Sequence, residues 1–251
     1  MPVRTAEPPC VIMQHDSASD FLAIAYPTLI QHEASANIVF AHALKRVDTE
    51  TARSRYQSAS TSDASARLAA ADASSLAPRR TNGAFWLTLW SQGPSAPTLD
   101  LVLSCVDWTL GNYPVFLWSP KRANEQSASW LKPRLIQLTT HLRQCVPPER
   151  VFSVFGMTSL VEPFTKYWSS LTGFAVEPEP FYAAHFSFCN SRTLRQSNAA
   201  LPAGHCLRKA TISDLEQVAQ LCKEFADDSV RTCKKIFNGR PPSTLWEFVT
   251  D

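Results

Sequence analysis

Two hydrophobic periods alternate along the chain and divide it into elements. Leu29, Ile30, Ala34, Asn37, Ile38, Ala41 and Leu44 recur at helical spacing. This predicts a helix from Pro27, whose missing N–H is harmless in a first turn, to about Lys45. Lys45 and Arg46 then lie where the helix dipole favours cations. A shorter helix capped by Ser17 or Ser19 precedes it and carries Phe21, Leu22 and Ile24. Asp48 to Asn82 is rich in Ala and Ser and has no apolar stripe, which predicts a disordered or weakly helical insertion (48–82) closed by a solvated Arg79-Arg80 pair.

The period then shortens. Ala84–Trp90, Leu99–Val106 and Tyr113–Trp118 read as strands, separated by turn signals at Gly93-Pro94 and Gly111-Asn112. Short connections between them predict an antiparallel meander. From Ser129 to Cys145 the helical period returns, with Leu131, Leu135, Leu138, Leu142 and Cys145 on one stripe, Pro133 in the first turn and Pro147-Pro148 as the stop. Arg150–Phe155 reads as a strand. Thr158 is placed to cap a helix carrying Val161, Phe164, Trp168 and Leu171, closed by Gly173. Phe181–Cys189 reads as a further strand.

Ser191 to Gly204 is polar and reads as a linker, 191–204, followed by a strand at His205–Ala210. A helix capped by Thr211 or Ser213 comes next and is expected to bury Leu215, Val218, Cys222 and Phe225. So short a piece buries too little apolar area to offset its chain entropy, so this end is expected to be loosely held or docked on the rest. The fold class is α/β: a mixed sheet flanked by helices over 17–190, after a disordered N-terminus, 1–16.

Composition narrows the functions. With 251 residues, 45% hydrophobic, the chain can build a sizeable core. Lys+Arg 24 against Asp+Glu 22 leaves a formal charge of +2, which gives no reason to expect a nucleic acid or anionic membrane as partner. Met1–Asp16 has no apolar signal region. Phe21–Ile30 is interrupted by Pro27 and is about half of the ~20 residues that span a bilayer. A cytoplasmic or nuclear location follows as the expectation. The seven cysteines are widely spaced and read as buried thiols, with no close pair to hold zinc. His32-Glu33 lacks the second histidine of a metalloprotease motif, since position 36 is Ala, so no metal is expected.

Other chemistry finds little support. There is no G-x-S-x-G, and Gly156-Met-Thr-Ser159 does not reproduce it. Gly156 reads as a plain strand-to-helix turn, and His185 as a core or edge histidine without an accompanying nucleophile. Phe85, Trp86 and Trp90 read as core packing.

Two stretches carry a family resemblance. LRKATISDLEQVAQLCKEFADD, Leu207 to Asp228, resembles the opening strand and helix of the GNAT superfamily of acyl-CoA-dependent N-acyltransferases. FLAIAYPTLIQHEASANIVFAHAL, Phe21 to Leu44, is similar to the start of a two-domain GNAT subgroup, in which an N-terminal α/β domain precedes the acyltransferase domain. FWLTLW, LDLVLS, the unit ending in Ser169-Ser170-Leu171-Thr172-Gly173-Phe174 and the strand at Phe181 follow in the same order. The resemblance runs from Asp20 to Val230 apart from the insertion, and Arg231–Asp251 is unlike the family.

The resemblance implies transfer of an acyl group from acetyl-CoA, or another acyl-CoA, to an amine acceptor. It implies that 205–230 is an incomplete acyltransferase domain whose first helix borders the acceptor site, where one of Glu216, Glu224, Asp227 and Asp228 would touch substrate; the alternative is that they form a solvated helix face. Catalytic residues are not assigned. The family holds the CoA pyrophosphate in a Gln/Arg-x-x-Gly-x-Gly/Ala loop, a nest of backbone N–H groups at a helix N-terminus. None of the seven glycines sits in that pattern: Arg80-Thr-Asn-Gly83-Ala-Phe85 has Phe where Gly or Ala is needed. The expectation is a truncated, inactive family member that does not hold the cofactor, or alternatively a non-catalytic ligand- or partner-binding domain.

Overall fold

The structure is a computed structural model, and it describes residues 10–47, 61–71, 76–93, 96–108, 111–185, 187–189, 191–195, 200–225 and 244–250. The chain divides into two compact units, Met1–Phe186 with Ser243–Asp251, and Ser187–Pro242.

The first unit is a mixed α/β structure. β1 (Cys10–His15), β2 (Phe85–Gln92), β3 (Pro97–Cys105), β6 (Val115–Trp118) and β7 (Ser153–Met157) form a continuous sheet in that order. The short pair β4 (Asp107–Trp108) and β5 (Gly111–Asn112) makes a hairpin between β3 and β6. Pairing is antiparallel from β1 to β6 and parallel between β6 and β7. The meander expected from 84–118 is therefore present. β6 and β7 are joined through α4 (Ala128–Cys145), the crossover that a parallel pair requires.

Helices cover both faces. α1 (Ala18–Gln31), α2 (Glu33–Leu44) and α3 (Thr61–Ala70) precede β2, and α5 (Thr158–Thr172) follows β7. Phe85, Leu87 and Leu89 of β2 join Leu101 and Leu103 of β3 in a core with Leu135, Leu138 and Leu142 of α4 and Phe164 and Trp168 of α5. Trp86 and Trp90 point into the other core, with Phe21, Leu22 and Leu29 of α1 and Phe40 of α2. Burial on both faces explains why β2 reads as an unbroken apolar run instead of an alternating one. Phe21 stacks on Trp86 with ring centroids 5.5 Å apart.

Several boundaries differ from the sequence reading. Cys10–His15 is a paired strand, not part of a disordered N-terminus, and its edge is blunted by side chains: Gln137 donates to the Cys10 carbonyl and Arg79 to the Gln14 carbonyl. The expected helix from Pro27 to Lys45 is two helices. Pro27 lies inside α1 at the cost of one hydrogen bond, and the break falls at His32, whose φ −115 and ψ 27 leave the helical region. Part of the Ala/Ser-rich insertion is helical, as α3, and Arg79 is anchored: its N–H donates to Gln14 Oε1 at 2.8 Å and its guanidinium pairs with Asp16 at 2.8 Å. Pro133 sits inside α4, beyond its first turn. α5 begins at Thr158 itself, without a side-chain cap from Met157, and ends at Gly173 in the left-handed region with φ 78, where glycine carries no Cβ strain. The last expected strand of this region shortens to β9 (Tyr182–Ala184), after a two-residue β8 (Ala175–Val176).

Part of the 231–251 tail lies in the sheet. Thr244–Thr250 is β10, which pairs in parallel with β7 on one side and with β8 and β9 on the other. Residues 226–243 lie outside the described residues. In the second unit no strand forms at 205–210, and a helix over 215–225 (α6) follows a short 3-10 turn at Ile212–Asp214. The residues expected to be buried are exposed: Leu215 is 62% and Phe225 77% accessible, and Val218 and Cys222 are also exposed. Arg208 holds Asp214 with two bonds of 2.6 Å, keeping that carboxyl well below the usual range.

Acid sensitivity is built into the α4 layer. His141 is buried, its Nε2 has no hydrogen-bond partner, and burial together with the nearby Arg79 cation lowers its pKa to about 4. A depressed histidine pKa means that the unfolded chain takes up the proton first. Its contribution is therefore complete above about 6.5 and is lost as pH falls from there towards 4. Urea unfolding between pH 7 and pH 4 should show a fall in stability that shrinks in His141→Gln. An unchanged pH profile in the variant would refute the assignment.

Candidate ligand cleft at the carboxyl ends of two parallel strands

β6 and β7 pair through Val115↔Val154, Phe116↔Phe155 and Leu117↔Gly156, and the pairing stops there although both strands run one residue further. A cavity of 230 Å³ opens at this end of the pair. One wall is α2, with Ile38 and Val39 and, at the rim, Ser35 and Asn37. The other wall is the strand pair itself: Phe116, Leu117 and Trp118 from β6, Phe155, Gly156 and Met157 from β7. Gly156 is part of β7 and not of a turn, which corrects the sequence reading. A Cβ there would lie 2.4 Å from the Leu117 carbonyl oxygen and 3.3 Å from Val161 Cγ2, so glycine is what lets the two strands and α5 close together.

The aromatic wall is held from behind. Trp118 Nε1 donates to Ser35 Oγ at 3.2 Å, and the His32 ring meets Trp118 edge-on at 5.9 Å. His42 lies edge-on to Phe116 at 4.9 Å and stacks on Tyr113 at 5.5 Å. Burial, then Lys45 and Arg46, lower the His42 pKa, so the ring is kept neutral.

The N-terminus of α5 adjoins the cleft, and that of α4 is tied to it. Met157 is both a wall residue and the residue before α5. The loop 119–127 leads from Trp118 to α4, whose first turn is capped by Ser127 accepting from Trp130 N at 3.2 Å. Gln126 ties the two together: its Nε2 donates to the Lys121 carbonyl and its Oε1 accepts from Ser159 Oγ, both at 2.8 Å. The same loop supplies Lys121 and Arg122.

A buried charge anchors this loop. The β2–β3 register passes from Leu89↔Leu101 to Trp90↔Leu99, leaving Asp100 as the extra residue of a β-bulge. The bulge turns its carboxylate to Arg134 of α4, with Nε to Oδ2 at 2.7 Å and the two side chains 1% and 2% exposed. The Asp100 carbonyl accepts from Ser119 Oγ at 2.8 Å, and Ser119 Oγ in turn accepts from Lys121 N at 3.2 Å. Arg134 Cζ and Lys121 Nζ lie 4.5 Å and 5.2 Å from the Trp130 ring centroid, within cation–π range.

Chemically the cleft can bind but is poorly equipped to react. Among the described residues that line it none titrates. The buried thiols elsewhere are inert, since burial pushes Cys105 up to about 11 and Cys145 up to about 12. Cys189, Cys206 and Cys222 are exposed, against the expectation of buried thiols throughout. Among the described residues no group of three or more His, Cys, Asp or Glu is arranged to hold a metal, and no helix is long and apolar enough to cross a membrane.

The residues singled out from the sequence fall elsewhere in the chain from those that line the cleft. Glu216 and Glu224 are exposed on α6 of the second unit, where Gln220 Nε2 donates to Glu224 Oε1 at 2.7 Å. Asp227 and Asp228 lie outside the described residues. His185 is exposed just after β9, not in a core. Phe85, Trp86 and Trp90 are core residues, as expected. The cleft residues were missed because Phe116, Trp118 and Phe155 read as ordinary strand apolars. The available signal was Asp100, a carboxylate inside an otherwise apolar run.

The fold and the cleft define a mixed α/β protein with a ligand-sized site at the carboxyl ends of a parallel strand pair, beside the N-terminus of α5. The chain matches no protein-family model, no curated protein and no solved structure.

Proposed function

We propose that the chain is a non-catalytic relative of the acyl-CoA-dependent N-acyltransferases whose first unit binds an acyl-CoA. The observation that carries the reading is the cleft itself: an apolar cavity where β6 and β7 stop pairing, with the start of α5 beside it. In open α/β sheets ligands sit at the carboxyl ends of strands. A helix N-terminus, here that of α5, favours an anionic group. An acyl-CoA combines an apolar acyl end with a phosphate-bearing end; it is the cofactor of the family that the sequence resembles, and the cleft offers it a place other than the glycine loop, whose absence led the sequence reading to expect no cofactor here. Acyl transfer to an amine needs a general base and an acid for the departing thiolate, and the cleft walls offer neither. Such a protein would work in the cytoplasm or nucleus, where acyl-CoA is present.

Titration of the purified chain with acetyl-CoA and CoA tests this. A ligand that binds only the folded state must raise Tm. A saturable rise at micromolar ligand, without thiol release when amines are added, is expected. No response at millimolar ligand would refute binding, and amine-dependent release of CoA would refute the non-catalytic part.

A further inference from the structure

We infer that the cleft is a recognition site for a planar, uncharged aromatic ring, which, on the acyl-CoA reading above, is carried by the acyl group. Size is the first argument. The cavity holds 230 Å³, whereas an apolar cavity of about 150 Å³ already accepts benzene. A two-carbon acetyl group would leave most of that space empty. A ring with a short linker, or a fused pair of rings, fills it.

Wall chemistry is the second argument. Phe116 and Trp118 project from the same face of β6, and Phe155 meets Phe116 edge-on at 5.6 Å and 62°. A ring entering beside these and Ile38 meets aromatic side chains on one wall and an aliphatic one on the other, contacts that favour a ring over a linear chain. No charge lines the cleft, so an ionised ring substituent would be desolvated without a partner.

Preorganisation is the third. Ser35 and His32 fix Trp118, and His42 backs Phe116, so the wall is set before a ligand arrives. Ile38 on the opposite wall is only partly buried, and a larger side chain there can occupy the cleft without entering the core.

The test compares phenylacetyl-CoA, octanoyl-CoA, acetyl-CoA and free indole on the wild-type chain and on Ile38→Trp, with heats of binding and NMR shifts as readouts. Expected are tighter binding of phenylacetyl-CoA than of acetyl-CoA by roughly tenfold, indole shifts confined to Ser35, Trp118 and Gly156, and loss of both in Ile38→Trp. Equal affinities, a preference for octanoyl-CoA, or a preference that survives Ile38→Trp would overturn the ring site while leaving acyl-CoA binding in place. Indole shifts at those residues without binding of any CoA ester would keep the ring site and refute the acyl-CoA reading. Absence of all binding would overturn both.

Discussion

Arg134→Met should lower the free energy of unfolding by about 3–5 kcal/mol, the usual cost of stranding one member of a buried ion pair. Asp100 is 1% exposed, and Arg134 Nε is the cation placed on its carboxylate, at 2.7 Å. Removing the guanidinium leaves a carboxylate that solvent cannot reach, in a bulge whose backbone also serves Ser119. The pair itself is weak evidence of net stabilisation, because its own desolvation offsets much of the attraction. The double variant Asp100→Leu with Arg134→Met should therefore recover most of the loss. Urea denaturation of the wild type, both single variants and the double variant gives the cycle. A loss below 1 kcal/mol in Arg134→Met would show that the bulge does not depend on the pair. Because Ser119, Lys121 and Gln126 hang from the same network, the single variant should also weaken ligand binding at the cleft.

Gly156→Ala should cost about 3 kcal/mol, at the upper end for overpacking. The added methyl would meet the Leu117 carbonyl oxygen at 2.4 Å, and that atom is backbone in the neighbouring strand, not the end of a flexible side chain. Relief requires β7 to move away from β6, where the two pair, and Val161 of α5, at 3.3 Å, must give as well. Gly83→Ala is the control, since the nearest atom to its added methyl, Thr81 Oγ1, is at 3.9 Å, an ordinary contact. Thermal unfolding of the two variants should separate them by well over the change expected for a surface glycine. Equal Tm values would mean that the strand pair yields easily and that glycine is not required there.

Much of the first unit was legible because its signals are local. The stripe Leu131, Leu135, Leu138, Leu142 and Cys145 is one face of α4, and all five are buried as the helical period implies. The meander followed from short connections and turn residues. The same local logic failed where partners are distant in sequence. The stripe on α6 looked like Val161, Phe164, Trp168 and Leu171 on α5, yet the first stripe is exposed, and the second is buried except for Leu171, which is 44% accessible. Periodicity says that a face is apolar; it does not say that anything covers it. Cys10–His15 and Thr244–Thr250 read as termini, and each became a strand because an existing strand offered it unpaired backbone groups.

By itself the sequence determined the alternation of periods, and with it the α4 and α5 helices, the antiparallel meander and the mixed α/β class. Those properties depend on residues within a turn or two of one another. Tertiary structure alone decided the parallel β6–β7 contact, the cleft where that contact ends, and the Asp100–Arg134 pair that fixes the adjoining loop. Each joins residues some 30 to 120 positions apart: Asp100 to Arg134, and Ile38 to Phe155. Their placement follows from how the helices close over both faces of the sheet, and no local pattern encodes it.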